Sequence, residues 1–173
     1  ANSEHAAARR NLELLRIWSK HIQDRWMQRD RQRRREQMDL LEFLAWLQAQ
    51  QRATRGLAKA LPGQLFSPTL RQTARKLAAT QGALTLEIEP LKVKLDEALQ
   101  PPPDPAAQPP ATKALNPQPA LSPEMLQARQ ALHGLADHAG KSMADAADEL
   151  ANRNVSSAIV AQTAALSPLN QLF

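Results

Sequence analysis

This chain of 173 residues has no cysteine and no tyrosine, and only three Phe and three Trp. Without thiols there can be no disulfide, no thiolate zinc site and no cysteine nucleophile, although either cytoplasm or periplasm tolerates their absence. Few aromatic and β-branched residues work against sheet, whereas the abundant Ala, Leu, Gln and Arg favour helix. Also missing are a glycine-rich phosphate loop, a nucleophile elbow, an HExxH pair, and paired carboxylates set among apolar residues where their pKa values could separate. Ser142, Ser156 and Ser157 lie near expected helix starts, where capping explains them. The chain is therefore expected to be non-enzymatic, with no cofactor and no metal. It has no run of about 18 apolar residues, so the sequence as given is expected neither to span a bilayer nor to carry a signal-peptide core. Its start, "ANSEH", lacks an initiator Met, which fits a trimmed chain and a mature secreted one equally and leaves room for an anchor outside it.

The composition that is present is unevenly spread. Residues 1–60 hold 13 Lys/Arg against 7 Asp/Glu, 61–100 hold 5 against 4, and 101–173 hold 4 against 6. The basic character thus belongs to the first third. Proline is concentrated in "PPPDPAAQPPATKALNPQP" (101–119), which forbids helix and favours an extended polyproline conformation. The expected organisation is an N-terminal helical region (1–99), a Pro-rich linker (100–121) and a C-terminal helical unit (122–173). At about 3.1 Å per residue the linker reaches roughly 70 Å, enough to return the tail to the first region. A unit of about 50 residues is marginal alone, so it is expected to pack on the first region or on a partner. The fold class is all-α: an antiparallel helical bundle with a long Pro-rich connection to the C-terminal unit.

Helical spacing defines the segments. From about Ser3, Leu15, Trp18, Ile22 and Trp26 form an apolar stripe that is expected to pack in a core. Met38, Leu41, Leu44 and Leu47, with Leu40 and Phe43 beside them, begin a second stripe that fades toward "LPGQ" (61–64). A third segment starts at Ser67-Pro68 and runs to about Ile88, with Leu70, Leu77 and Leu84 at heptad spacing. Pro90 starts or kinks a fourth that ends near Leu99. Ser122-Pro123-Glu124 opens the next, with an N-cap, a first-turn proline and an acid. This helix is expected to close at Gly140, with a second over 142–154 and a third over 155–173 that bends or restarts at Ser167-Pro168. Asn152 and Asn154 are expected to make the turn before the last, since Asn tolerates a left-handed backbone.

Three groups of residues bear on function. In "RDRQRRRE" (29–36), Arg29, Arg31, Arg33, Arg34 and Arg35 advance by about 100° each and point all round a helix, while Asp24, Asp30, Glu36 and Asp39 flank or interrupt them. A solvated helix, with Asp30 and Arg34 at i, i+4, is the expectation. Contact of the arginines with a nucleic acid is the alternative; Leu40 and Leu47 follow as in a leucine zipper, but Gln51 and Thr54 spoil that seam. The same charge also suits an anionic membrane surface or acidic partner. Second, Trp18, Trp26 and Leu41, and in the tail Leu166 and Leu169, are the candidate helix-docking residues, with Trp46 also at core spacing. Third, His133 and Asp137 stand four apart, but His138 falls elsewhere and no third metal ligand is near.

The stretches "LLEFLAWLQAQQRATRGLA" and "LAATQGALTLEIEPL" share a Leu/Gln/Ala cadence with Met143-Ala144-x2-Ala147-x2-Leu150-x3-Asn154-x3-Ala158-x3-Gln162-x2-Ala165-Leu166-x2-Leu169. Together they resemble the helical extracytoplasmic regions of large, uncharacterised bacterial membrane-anchored proteins, in which Gln51-Arg52-x-Thr54 and Gln81-x2-Leu84-x2-Glu87 have counterparts. Pro90 and Pro168 interrupt helices that the pattern would continue. The resemblance implies a periplasmic location and assigns no activity. The expected function is a non-enzymatic helical adaptor or assembly domain that binds a protein partner or itself through helix faces, with any membrane attachment through an anchor outside this chain.

Overall fold

The computed structural model describes residues 2–63, 67–100 and 122–173. Among them are six helices, α1 (Asn2–Gln37), α2 (Leu40–Lys59), α3 (Pro68–Thr85), α4 (Ile88–Ala98), α5 (Pro123–Ala151) and α6 (Val155–Gln171), and no strand. The fold is all-α. The Pro-rich linker, except Gln100, and Gln64 of the "LPGQ" stop lie outside the described residues. The chain forms two units, Ala1–Met38 and Asp39–Phe173.

Local chemistry sets the helix starts of the second unit. Asp39 caps α2 by accepting from the Glu42 amide at 2.7 Å, and the Glu42 carboxylate accepts in return from the Asp39 amide at 3.2 Å. This reciprocal box satisfies two of the amides that a helix start leaves unpaired. Ser67 and Ser122 cap α3 and α5 through the amides of Leu70 and Met125, each with proline in the first turn. Pro90 sits in the first turn of α4, where its missing N–H costs nothing.

The core follows from a shared 3,4,3,4 spacing of buried positions. In α2 these are Leu44, Leu47, Gln51, Thr54 and Ala58; in α3 and its extension they are Ala74, Leu77, Gln81, Leu84 and Ile88. In α5 they are Ala136, Ala139, Met143, Ala146 and Leu150, and in α6 Val155, Ala158, Gln162, Ala165 and Leu169. That spacing is the seam of supercoiled helices packed knobs into holes. Contacts between seams fix their direction. Gln48 meets Leu169 and Gln51 meets Gln162, so α6 descends as α2 ascends. Ala58 clusters with Leu77, Leu150 and Ala158, one seam step or two from Gln51, Gln81, Met143 and Gln162 of their respective helices. Along α4, Ile88, Lys92 and Asp96 meet Gly140, Asp137 and the Arg129/His133 pair of α5 in reverse order. The bundle is antiparallel.

Four sequence expectations are corrected here. Leu41 is 57% exposed, because stepping the α2 seam back from Leu44 reaches Leu40 and leaves Leu41 on the outer flank. Gln51 and Thr54 do not spoil the seam: both are buried in it, with the Thr54 hydroxyl donating to the Gln50 carbonyl at 2.9 Å. Gly140 closes no helix, since α5 runs unbroken past it. A Cβ there would stand 3.1 Å from Ile88 Cγ1, so the glycine permits the close approach of α4. Nor does Pro168 restart α6, which continues to Gln171 with the proline buried near its end, where the lost bond affects a single turn.

The α5–α6 turn is also made differently. Arg153, not an asparagine, takes the left-handed conformation, at φ 68°. The Asn154 amide reaches the Glu149 carbonyl at 2.7 Å and the Arg153 amide reaches Leu150 at 3.1 Å, the paired bonds of a Schellman end. The two asparagines flank that residue, with Asn152 ending α5 and Asn154 capping α6 through the Ser157 amide. One prediction follows from the close approach at Gly140. Replacing Gly140 by Val should cost about 1–3 kcal/mol by overpacking, and the loss should shrink when Ile88→Ala is added. Urea unfolding of the two singles and the double checks this; additive losses would rule out the contact as the cause.

Candidate interaction surface and polar clusters

The residues of α1 make up a unit of their own, Ala1–Met38, distinct from the four-seam bundle of the second unit. Trp18 and Trp26 are each 69% exposed, and Leu12, Leu14, Leu15 and Ile22 are exposed with them. The core expectation for Trp18 and Trp26 is therefore overturned: the apolar stripe exists at helical spacing, yet the seams that bury such stripes belong to the other unit. Trp46 is half-buried in α2, its ring 5.6 Å from that of buried Phe43. Depressions along α1, such as that lined by Asn11, Leu14, Leu15 and Trp18, are grooves between side chains of this one helix.

Charge distinguishes α1 as strongly as exposure does. It carries ten Lys/Arg and five Asp/Glu; the chain's net charge is +5, so α1 accounts for all of it and the remaining residues balance. Arg29, Arg33 and Arg34 are exposed, and Arg31 and Arg35 are half-buried. Arg34 donates to Asp30 at 2.6 Å at the i, i+4 spacing. The five arginines lie within the last turns of α1 and point around its circumference, not along one face.

The tail docking candidates occupy the interior. Leu169 is fully buried and Leu166 nearly so, and the Leu169 carbonyl accepts from buried Gln48 at 2.9 Å. Beside them lies an amide network that joins Gln51, Gln81 and Gln162. Gln162 Nε2 donates to Gln81 Oε1 at 3.2 Å, Gln81 Nε2 to Gln51 Oε1 at 2.7 Å, and Gln51 Nε2 to the Gln162 carbonyl at 3.4 Å. All three side chains are fully buried and hold the central seam position of α2, α3 and α6, with Met143 at that position in α5. The signal available beforehand was glutamine interrupting three apolar heptad patterns.

A second cluster ties α4 to α5. Arg129 donates to both Asp96 oxygens, from Nε at 2.6 Å and from Nη2 at 2.7 Å, and His133 Nε2 lies 2.8 Å from Oδ1. The fork of Arg129 holds the Asp96 carboxyl below the usual carboxylate range; partial burial opposes it and His133 adds to it. Four residues away, Lys92 bonds Asp137 and, at 3.0 Å, Glu89, and these bonds raise its pKa above the usual lysine range. His133 and Asp137 thus face separate partners on α4, and among the described residues no group of three or more His, Asp or Glu could hold a metal. The cleft beside Asp96 and Arg129 has about 150 Å³, well under the roughly 300 Å³ at which ligand pockets begin. Its chemistry is that of a clamp between helices.

The clamp predicts a pH dependence with opposite signs at its two ends. A depressed Asp96 pKa adds stability that is complete above the usual carboxylate range and is lost as pH falls through the lowered value. A raised Lys92 pKa adds stability that is complete below the usual lysine range and is lost as pH rises through the raised value. Asp96→Asn should flatten the acid limb of thermal stability against pH and leave the alkaline limb; Lys92→Met should do the reverse. Calorimetric scans across pH check both, and an acid limb unchanged in Asp96→Asn would refute the assignment.

Among the described residues no helix is long and apolar enough to cross a membrane. Comparisons with protein-family models, curated proteins and solved structures give no match for this chain.

Proposed function

We propose that this chain is a non-enzymatic adaptor or assembly domain in which the antiparallel bundle is a self-contained scaffold and α1 is the element that docks. One observation carries this reading: α1, a unit apart from the bundle, presents Trp18 and Trp26 at 69% exposure within a continuous apolar stripe. The bundle buries its own seams, and exposed apolar residues such as Leu57, Val93 and Val160 come from three different helices, α2, α4 and α6. Singly exposed apolar residues are ordinary on a protein surface, whereas a contiguous stripe marks an interaction site. An extracytoplasmic setting accords with the sequence resemblance.

A photo-crosslinking side chain tests the reading in cells. Placed at Trp18 or Trp26 it should yield an adduct with another macromolecule or with lipid; placed at Leu57 or Val160 it should not. Equal labelling from both sets, or none from α1, would refute docking through this helix.

A further inference from the structure

We infer that the apolar face of α1 lies on an anionic lipid bilayer, with the helix parallel to the surface; this rests on the docking role proposed for α1 and names its partner. At about 100° per residue, Leu14, Trp18, Ile22, Leu15, Trp26 and Leu12 succeed one another round an arc of about 160°. All are exposed. Arg10 and Arg16 stand just beyond its two edges, and Arg25 and Arg29 enter it at its C-terminal end, where long side chains can lie along apolar surface and lift their charge to phosphates. Glu13 and Asp24 fall nearly opposite the centre of the arc. Over residues 12–29, the span of the stripe, the acids therefore face away from the surface that the tryptophans face, and arginines border it. Asp30 and Glu36, past the stripe, fall in the arc's own sector and limit the lipid-facing surface to that span. Ile17 and Met27 lie outside the arc.

A bilayer fits this arrangement better than another helix. The four bundle seams keep 3,4,3,4 spacing over five positions, but the α1 stripe runs Leu15, Trp18, Ile22, Trp26, a 3,4,4 spacing. Continued as a heptad seam it would place Arg25 and Arg29 at the contact positions. A second copy would also bring together two helices that each carry the full +5 charge of the chain. A straight helix with a wide apolar arc suits a plane, while supercoiling needs a narrow strict seam. Indole rings partition to the headgroup region, and basic residues add attraction to anionic lipid. For a nucleic acid, the tryptophan face would displace the arginines from the groove.

Flotation of the full chain with phosphatidylcholine vesicles, with and without phosphatidylglycerol, tests the inference. Binding should require the anionic lipid and weaken at about 1 M salt, where the Debye length is about 3 Å. Trp18→Ser with Trp26→Ser should weaken it at least about tenfold, while circular dichroism shows the bundle still folded. No binding to anionic vesicles would overturn the inference, as would binding indifferent to the two tryptophans, which would be attraction by charge alone. So would a dimer by light scattering that the double variant makes monomeric, or salt-sensitive duplex DNA binding without vesicle binding. If vesicles fail but crosslinks from positions 18 and 26 reach a protein, the docking role stands and only the lipid assignment falls.

Discussion

Gln81→Ala should destabilise the bundle by about 3–5 kcal/mol, the largest loss expected from any single substitution considered for this protein. Removing this amide strips Gln51 Oε1 of its donor and Gln162 Nε2 of its acceptor, both in fully buried side chains. A buried group left unpaired costs about 1–3 kcal/mol, and a cavity is added. The cost arises from incompleteness, so it should not accumulate. With Gln51, Gln81 and Gln162 all changed to Leu, no side-chain amide of the ring remains, and replacing polar partners together by apolar groups of similar shape is close to neutral. The triple variant should therefore unfold much nearer to the parent than the summed single losses imply. What it should lose is discrimination among registers, because a polar layer at one seam position fixes alignment at a cost in stability. Denaturant unfolding measures the first effect, and amide exchange in α6 the second. A triple variant as unstable as the sum of its singles would show that the glutamines contribute separately.

The next largest effect is expected at Leu169. Its side chain is fully buried in the last turn of the seam of α6, and its carbonyl accepts from Gln48 across the α2 interface. Leu169→Ala should cost about 3 kcal/mol, within the range for truncating a buried leucine. The interface it supports joins helices on opposite sides of the proline-rich segment, so amide exchange should accelerate in α2 as well as in α6. Val160→Ala, at an exposed position of the same helix, is the control and should stay within about 0.5 kcal/mol. Loss confined to α6, with α2 protection unchanged, would show that the tail is not held by α2.

These two predictions turn on residues whose meaning the sequence carried only in part. The heptad spacing of Leu77 and Leu84 is visible in the chain. Read alone, though, Gln51 and Thr54 look like breaks in such a pattern, since nothing local indicates that Gln81 and Gln162 arrive at the same level. Helix starts are more legible: Ser-Pro at 67–68 and 122–123 acts within four residues, and both starts are found. Helix ends at glycine are less so. Gly140 could serve a left-handed cap or a close contact between helices, and only the position of Ile88 decides between them.

The same division separates the candidate residues. Trp18, Trp26, Leu166 and Leu169 share the apolar character and helical spacing of core positions, yet the first two are exposed and the last two buried. His133 and Asp137, read as neighbours on one helix, answer to Asp96 and Lys92 on another.

By itself, then, the sequence determined what depends on near neighbours and on composition: helices, their starts, their apolar faces, the confinement of net positive charge to α1, and the lack of thiol chemistry. Tertiary structure decided which of those faces is buried, which glutamines pair, why Gly140 is a glycine and which carboxylate clamps α4 to α5. The physical reason is that helix formation and capping act over three or four residues, whereas burial and polar pairing depend on which distant segments arrive at the same level of the bundle.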